Sequence, residues 1–270
     1  MPELPEVETT RRGLLPLIGQ TVGQVIIRNA ALRWPIPQHI TLSLPSQTLL
    51  ELTRRAKYIL ARFETGTLIL HLGMSGRICL LAQNESPAKH DHFDLHFTDG
   101  QVLRLRDPRR FGAVLWAEGD VTKHTLLSVL GPEPLDDSFD GLWLYQHIRT
   151  RSVAIKNAIM DSHLVVGVGN IYASESLFRA RINPQMPANK LSKAACNRLV
   201  AQIKSTLNDA LLAGGSSLRD FFGADGNPGY FQQEYFVYAR TGEPCKLCGR
   251  PIKTIRLGQR STFYCAHCQK

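Results

Sequence analysis

Closely spaced, strand-like runs in the N-terminal half constrain the fold of this 270-residue chain more than any other feature. Short polar stretches separate these runs, and Asp99-Gly100 between two of them is a strong hairpin-turn signal. The predicted strands are Val22–Arg28, Tyr58–Phe63, Thr67–Met74, Arg77–Leu81, His92–Phe97, Val102–Arg106 and Gly112–Trp116. Many short strands joined by tight turns predict an antiparallel sandwich or barrel, and they argue against a parallel α/β sheet.

Helical spacing characterises the remaining segments. A short amphipathic N-terminal helix is predicted, with Pro5 in its first turn and an apolar stripe at Val7, Leu14, Leu15 and Ile18. Residues 123–130 are predicted to form a helix that Gly131-Pro132 ends. The clearest helix extends from Ser192, its N-cap, to Ala213.

Four cysteines near the C-terminus predict a metal site. Sixteen residues separate Cys245-x-x-Cys248 from Cys265-x-x-Cys268, which is a four-cysteine zinc spacing. Four thiolates complete a tetrahedral zinc and leave no open position for a substrate, so the ion would be structural. The intervening segment is predicted to form a β-hairpin that presents Arg256 and Arg260. Two disulfides or a redox pair are the alternatives.

The charge of the chain indicates a polyanionic partner. The formal net charge is +9 and the pI is about 9.4, a balance that is typical of nucleic-acid binding but also compatible with mere solubility. Basic side chains cluster at 104–110 and at 245–270, which fits one long anion better than a small ligand. No apolar segment approaches the roughly 18 residues of a membrane span, and the acidic N-terminus is unlike a secretory signal. We therefore expect a cytoplasmic protein that does not associate with membranes.

The residues after the initiator methionine support two interpretations. With Met1 removed, Pro2 would be a secondary amine with a pKa of about 8, able to form a Schiff base. Glu3 would then be a candidate general acid or base. The same two residues also suit a helix entry with a favourable charge, and their chemistry alone leaves both interpretations open.

Six motifs resemble the bacterial formamidopyrimidine-DNA glycosylase family of base-excision repair enzymes. They are MPELPEVET at 1–9, RRAKY at 54–58, HLGMSG at 71–76, DPRRFG at 107–112, VVGVGNIYASE at 165–175 and the four-cysteine hairpin. The motifs occur in the family's order and cover the chain from end to end. Leu4 favours the formamidopyrimidine branch over the related endonuclease VIII branch.

Pattern and resemblance together predict an α+β protein. An N-terminal antiparallel β-sandwich with flanking helices would precede a helical, helix-two-turns-helix domain and a four-cysteine zinc β-hairpin. The expected boundaries are 1–130 for the catalytic sandwich, 131–150 for a linker and the start of the helical domain, 151–235 for the helix-two-turns-helix domain with a lesion-capping loop at 214–231, and 236–270 for the zinc finger.

The resemblance implies a bifunctional DNA glycosylase and AP lyase. Its substrate would be double-stranded DNA that contains 8-oxoguanine, formamidopyrimidines or abasic sites, and β,δ-elimination would follow base loss. Pro2 would be the nucleophile, Glu3 would assist the sugar ring oxygen, and Lys57 would bind substrate and transfer protons. Arg260 is linked to δ-elimination in the family, although its high pKa makes it a better phosphate ligand than proton donor. A monomer with one structural zinc and no catalytic metal is expected.

The resemblance also implies a set of DNA contacts. Met74, Arg109 and Phe111 match the trio that fills the space left by a flipped nucleotide, and Arg109 would read the orphaned cytosine. Positions near DNA phosphates are matched by His90, Arg151, Lys156 and Asn170. Without the resemblance, Met74 and Phe111 would be interpreted as core residues, and Lys57 and Arg151 as solvated surface residues.

The glycine-rich stretch 214–231 resembles the lesion-capping loop of the family. Its backbone would contact the flipped base at Ser216, Ser217, Leu218, Arg219, Asp220 and Phe221. The Ser216 carbonyl would accept the N7 hydrogen that 8-oxoguanine has and guanine lacks, a difference worth about 1–3 kcal/mol. The alternative is an ordinary surface loop.

Two other functions remain open at this point. An enzyme of the endonuclease VIII type would act on oxidised pyrimidines, against which the void-filling trio argues. A zinc-hairpin protein that binds distorted duplex without cutting it is the non-enzymatic alternative, against which Pro2 and Glu3 argue.

Overall fold

The computed structural model describes residues 2–215 and 235–270. The described residues form two compact units. One contains the residues up to Ser128 together with 213–215, and the other contains 129–212 and 235–270. The chain thus leaves the first unit, forms most of the second, and returns to the first before it ends in the second.

The first unit contains two four-stranded antiparallel sheets, with strand orders β2-β3-β4-β8 and β1-β6-β7-β5. The strands are β1 (Val22–Ile27), β2 (Glu51–Arg55), β3 (Tyr58–Arg62), β4 (Gly66–His71), β5 (Arg77–Ala82), β6 (Asp91–Phe97), β7 (Gln101–Arg106) and β8 (Ala113–Glu118). One buried apolar cluster contains residues from both sheets, among them Leu68, Leu70, Val114, Phe93, Leu95 and Leu103. The predicted antiparallel sandwich is confirmed.

The alternation of apolar and polar residues explains which strands could be predicted from the sequence. In β6, Phe93, Leu95 and Phe97 point into the core, so the strand has a clear period of two. Strand β2 was missed, because only Leu52 of its five residues is fully buried and the others are polar. β2 lies at a sheet edge and pairs only with β3, where charged side chains are tolerated.

The N-terminal helix is confirmed but is shorter than its predicted stripe. Helix α1 (Leu4–Gly13) begins after the N-cap Glu3 and is followed by a 3₁₀ turn at Leu15–Leu17. Leu15 and Ile18 therefore leave the helical period, and each is 40% exposed. Val7 and Leu14 are buried as predicted.

The helix predicted at 123–130 is wrong. The chain forms only a 3₁₀ turn at Val121–Lys123, where the Asp120 side chain accepts a hydrogen bond from Thr122 N at 3.0 Å. Only Leu127 is buried between 121 and 130. Since one apolar contact provides no continuous stripe, no longer helix is stabilised there.

Helices and one hairpin make up the second unit. The helices of the described chain are α1, α2 (Ile40–Ser43, in the first unit), α3 (Gly141–Ile148), α4 (Ile155–Ile159), α5 (Asn170–Arg179) and α6 (Lys193–Leu212), and the hairpin pairs β9 (Lys253–Leu257) with β10 (Arg260–Tyr264). Helix α6 matches the predicted 192–213, with the Ser192 hydroxyl accepting from Ala195 N at 3.2 Å. It packs against α3 and α5. Across both described ranges, no helix has the length and apolar character required to traverse a bilayer.

Candidate functional site

Three turns lie side by side at one end of the sheet β2-β3-β4-β8. Tyr58 at the start of β3 pairs with His71 at the end of β4, and His71 pairs with Ala113 at the start of β8. Because paired residues are direct neighbours, the turns before Tyr58, after His71 and before Ala113 are adjacent. These turns contain the predicted residues Lys57, Met74, Arg109 and Phe111.

Helix α1 runs antiparallel to β2. Arg11 Nη1 donates to the Leu52 carbonyl at 3.0 Å, and Arg54 Nε lies 3.4 Å from Glu8 Oε2. Moving along β2 towards its turn therefore corresponds to moving back along α1 towards its N-terminus. The first turn of α1 consequently lies at the end of the sheet that carries the three turns.

Pro2 and Glu3 are both buried at this helix start. The Glu3 backbone N–H donates to Glu6 Oε2 at 2.8 Å, and Glu6 is itself fully buried. A Cβ at Gly215 would lie 3.3 Å from Glu6 Oε1, so the chain passes close to Glu6 at 215. The predicted capping residues Ser216, Ser217, Leu218, Arg219, Asp220 and Phe221 lie outside the described residues.

His71 is a site residue that the sequence analysis missed. Burial, with the nearby charges of Lys57 and Arg33, lowers the pKa of His71 to about 4. The Gly73 N–H points at His71 Nδ1 at 3.0 Å, so Nδ1 is the acceptor and the neutral ring carries its proton on Nε2. His71 therefore offers one neutral N–H donor close to the Lys57 ammonium. Only the strand register reveals this, because in the sequence His71 simply ends an ordinary apolar strand.

The side chains of the predicted trio are at the surface or close to it. Phe111 is 43% exposed, and the Arg109 guanidinium lies 4.8 Å from its ring centroid in a cation–π contact. Met74 is half-buried in the adjacent turn. The interpretation of Phe111 as a core residue is therefore wrong. His90 lies nearby, since its carbonyl accepts from the Asp107 N–H at 3.0 Å.

In the second unit, Lys156 is hydrogen-bonded to Asn170, another predicted residue. Lys156 is fully buried, and its Nζ donates to Asn170 Oδ1 at 2.6 Å, Thr262 Oγ1 at 2.7 Å and the Ser261 carbonyl at 3.1 Å. Asn170 Nδ2 also donates to the Ser261 carbonyl, at 3.1 Å. The start of α5 is thus bound to β10, the strand that begins at Arg260.

Arg151 is paired with a carboxylate. Its Nη1 donates to Asp161 Oδ2 at 2.5 Å, and both side chains are partly exposed. Burial raises the pKa of Asp161, but hydrogen bonds from Arg151 and His163 outweigh it and hold that pKa at about 2. Asp161 is therefore ionised at every physiological pH.

Glu175 is a second residue that the sequence analysis missed. This fully buried carboxylate on α5 accepts three backbone hydrogen bonds, from Phe236 at 2.8 Å, Val237 at 3.0 Å and Tyr238 at 2.8 Å. Burial raises the pKa of Glu175, against the lowering effect of these three donors. Glu175 thereby fixes the segment that leads into the cysteine hairpin. A glutamate on a buried helix face was the available signal.

The four predicted cysteines form a compact cluster. Their Sγ atoms all lie within 4.8 Å of one another, with 3.9 Å between Cys245 and Cys268 and 3.5 Å between Cys248 and Cys265. Zn–S bonds of about 2.3 Å in a tetrahedron require S–S separations of about 3.8 Å. A disulfide requires about 2.0 Å, and all four thiols are free. The cluster fits one structural zinc, which would hold the β9–β10 hairpin, and the disulfide alternative is wrong.

Three consecutive parts of the chain match models of known protein families. Residues 1–114 match the formamidopyrimidine-DNA glycosylase N-terminal domain, and residues 130–221 match the H2TH domain of the same glycosylase. Residues 242–270 match the zinc finger found in FPG and IleRS.

Known proteins of similar sequence cover the whole chain. The formamidopyrimidine-DNA glycosylase of Methylobacillus flagellatus is 69% identical over 270 residues, covering 100% of this chain and 97% of that protein. The enzyme of the same name from Janthinobacterium sp. is 54% identical over 274 residues and covers 100% of both chains.

Solved structures show the same fold. The MutM (FPG) protein of Thermus thermophilus superposes with a TM-score of 0.89 at 38% identity, over 99% of this chain and 98% of that one. The Lactococcus lactis Fpg in complex with DNA containing an abasic site gives 0.92 at 33% identity and covers 99% of both. These matches, with the sandwich, the helical unit and the four-cysteine hairpin, place the chain in the formamidopyrimidine-DNA glycosylase family of base-excision repair enzymes.

Proposed function

We propose that this chain is a bifunctional glycosylase and AP lyase that removes oxidised purines, 8-oxoguanine and formamidopyrimidines, from duplex DNA through a Schiff base on Pro2. The observation that carries the proposal is the position of Pro2 and Glu3, at the end of the sandwich that also carries Lys57. With Met1 removed, the Pro2 amine would have a pKa of about 8 and a usable neutral fraction at pH 7.

The reaction begins with a displacement at the sugar. The Pro2 nitrogen bonds to C1′ as the bond from C1′ to the base breaks, and the base leaves with the electron pair and takes a proton from the Lys57 ammonium. The Pro2 nitrogen then passes its proton to the neutral Lys57 amine. Its lone pair opens the ring as the C1′–O4′ bond breaks, Glu3 protonates O4′, and an iminium remains.

Two eliminations follow from the iminium. Loss of a C2′ proton expels the 3′-phosphate, and loss of the C4′ proton then expels the 5′-phosphate. Water hydrolyses the remaining iminium and frees Pro2, which leaves a one-nucleotide gap with phosphate ends. Arg260 acts in this proposal by holding a phosphate, since an arginine side chain remains protonated. The zinc ion has no part in these steps and serves only to hold the hairpin that carries Arg260.

Met74, Arg109 and Phe111 fill the space of the extruded nucleotide. The exposure of Phe111 and its contact with Arg109 support this role, because an apolar wedge must reach out of the protein to enter the base stack. Arg109 then provides donors for the unpaired cytosine.

Phosphate contacts come from both units. His90 and the neutral N–H of His71 serve in the first unit, and Arg151 and Asn170 in the second. Lys156 acts indirectly, because its three hydrogen bonds within the protein hold Asn170 beside β10. We extend the proposal to residues 216–221 as the lesion cap, to a monomer acting on damaged duplex DNA, and to a cytoplasmic location with the nucleoid.

Borohydride trapping tests the proposal. A duplex with one 8-oxoguanine opposite cytosine is incubated with the protein and borohydride, and the cross-linked peptide is mapped by mass spectrometry. We expect an adduct on Pro2 in a chain that lacks Met1. An adduct on Lys57, or trapping only with an oxidised pyrimidine, would overturn the assignment.

A pair of lysine variants separates base release from lyase chemistry. Lys57→Ala is expected to slow base excision while still giving a Pro2 adduct on DNA with a pre-formed abasic site. Lys123→Ala removes an exposed lysine at the far end of β8 and is expected to match the unaltered protein in both assays.

A further inference from the structure

Two crossovers between the sheets carry the void-filling trio. Residues 72–76 connect β4 to β5, and residues 107–112 connect β7 to β8. Strand β4 pairs with β8 in one sheet and β5 pairs with β7 in the other. The two crossovers therefore begin and end on neighbouring strands, and they run side by side.

The backbones of the two crossovers touch. A Cβ at Gly73 would lie 2.4 Å from the Phe111 carbonyl carbon and 2.5 Å from Gly112 N, and the φ of Gly73 is +62°. A Cβ at Gly112 would lie 2.8 Å from the His71 carbonyl oxygen. Glycine at both positions thus permits a contact that any side chain would prevent.

One buried carboxylate bonds to both crossovers. Asp107 is fully buried; its Oδ2 accepts from Gly112 N at 2.7 Å, and its Oδ1 accepts from Ser75 Oγ at 3.2 Å and Arg109 N at 3.3 Å. The Gly112 and Arg109 bonds close its own turn. The Ser75 bond reaches the other turn, next to Met74.

The backbone of Asp107 is also held firmly. Its N–H donates to the His90 carbonyl at 3.0 Å, and its carbonyl oxygen accepts from Arg110 N at 3.2 Å. The His92 ring contacts the same carbonyl through Nε2 at 2.9 Å. The carboxylate is therefore a fixed reference to which both crossovers are bound.

We infer that Asp107 is a positioning residue, which acts through Ser75 to set Met74 relative to Arg109 and Phe111, and that selection of the base opposite the lesion depends on this link. The inference rests on the proposed role of the trio. Met74 and Phe111 open the stack in one rigid arrangement, and that arrangement decides whether the Arg109 donors meet a cytosine. Loss of the hydrogen bond between Ser75 and Asp107 leaves Met74 and Phe111 present but lets Arg109 accept other bases.

The matched pair Ser75→Ala and Thr122→Ala tests the inference. Each change removes one hydroxyl bonded to an aspartate, and Thr122 bonds to Asp120 in an exposed turn at the opposite end of β8. Excision rates, as kcat/KM, are measured with 8-oxoguanine opposite cytosine and opposite adenine. We expect Ser75→Ala to reduce the cytosine-to-adenine ratio about tenfold, equivalent to about 1.4 kcal/mol, and Thr122→Ala to leave the ratio unchanged.

A general loss of folded protein lowers both rates equally and therefore cancels in this ratio. If Ser75 had a merely structural role, its replacement would leave the ratio unchanged. Ser75→Thr keeps the hydroxyl and is expected to restore the ratio, while Asp107→Asn, which offers one acceptor oxygen in place of two, is expected to lower it further. An unchanged ratio in both Ser75→Ala and Asp107→Asn overturns the inference. If the unaltered protein itself shows no preference for cytosine, the proposed role of the trio fails, which is a separate result.

Discussion

The fold changes the acid–base chemistry of His71. Burial together with Lys57 and Arg33 keeps its pKa near 4, against about 6.5 in an unfolded chain. Between these two values the unfolded chain binds a proton that the folded chain does not. His71 therefore contributes stability that is fully present above about pH 6.5 and is lost as the pH falls towards 4.

His71→Asn isolates this contribution. The asparagine Oδ1 keeps an acceptor for the Gly73 N–H but cannot be protonated in this range. We expect the melting temperature of the variant to fall less steeply than that of the unaltered protein between pH 6.5 and 4. Parallel pH profiles for the two proteins would contradict the assignment.

The Asp161–Arg151 pair gives a second prediction for single residues. Asp161→Asn removes the charge that holds Arg151. We expect tighter DNA binding and a salt dependence steeper by about 0.9 in log K against log salt, the value of one added phosphate contact. The measurement is fluorescence anisotropy over a salt series. Asp209→Asn, which releases Arg179 in the same unit, is the control and should leave the slope unchanged.

Among the elements, strands were predictable where one face is apolar. Strand β6 alternates clearly and was found within one residue, whereas the polar edge strand β2 was missed. The predicted helix at 123–130 failed because its apolar residues do not share a buried face. The motifs supplied the candidate site residues, but only the strand register shows that Lys57 and His71 lie close together. Asp107 and Glu175 were missed because their partners include backbone groups, and those of Glu175 lie far along the chain.

Glu175→Gln tests a link between elements. The glutamine amide offers one acceptor oxygen and places an NH₂ against backbone donors, so one or more of the three N–H groups at 236–238 loses its partner. We expect the free energy of unfolding to fall by about 1–3 kcal/mol, measured by thermal or urea denaturation. Glu243→Gln changes an exposed glutamate paired with Arg240, and a shift within about 0.5 kcal/mol is expected. Equal effects for the two variants would mean that the three buried hydrogen bonds of Glu175 contribute nothing to the free energy of unfolding.

For the whole molecule, the zinc cluster determines whether the C-terminal hairpin can form. Its strands have five residues each and little core of their own, and an isolated hairpin is marginally stable in water. The metal therefore contributes directly to the folding of this part of the chain.

Zinc removal gives the corresponding prediction. Chelation should release one zinc per chain, as a colorimetric zinc indicator measures, and should weaken DNA binding at least about tenfold as the hairpin loses its order. Cys248→Ser should reproduce both effects. Cys79→Ser alters a cysteine in β5 outside the cluster and should retain the metal. Full DNA affinity after complete zinc loss would contradict a supporting role for the hairpin.

The contact between Gly73 and the 107–112 turn has a consequence for how such enzymes evolve. A side chain at 73 would collide with the backbone of Phe111, so neither crossover can be remodelled while the other stays as it is. The strands beneath them contribute to one apolar core, to which Leu72 of the first crossover also belongs. Lineages that acquire a different opposing-base preference on this scaffold should therefore exchange both turns together, as one heritable unit.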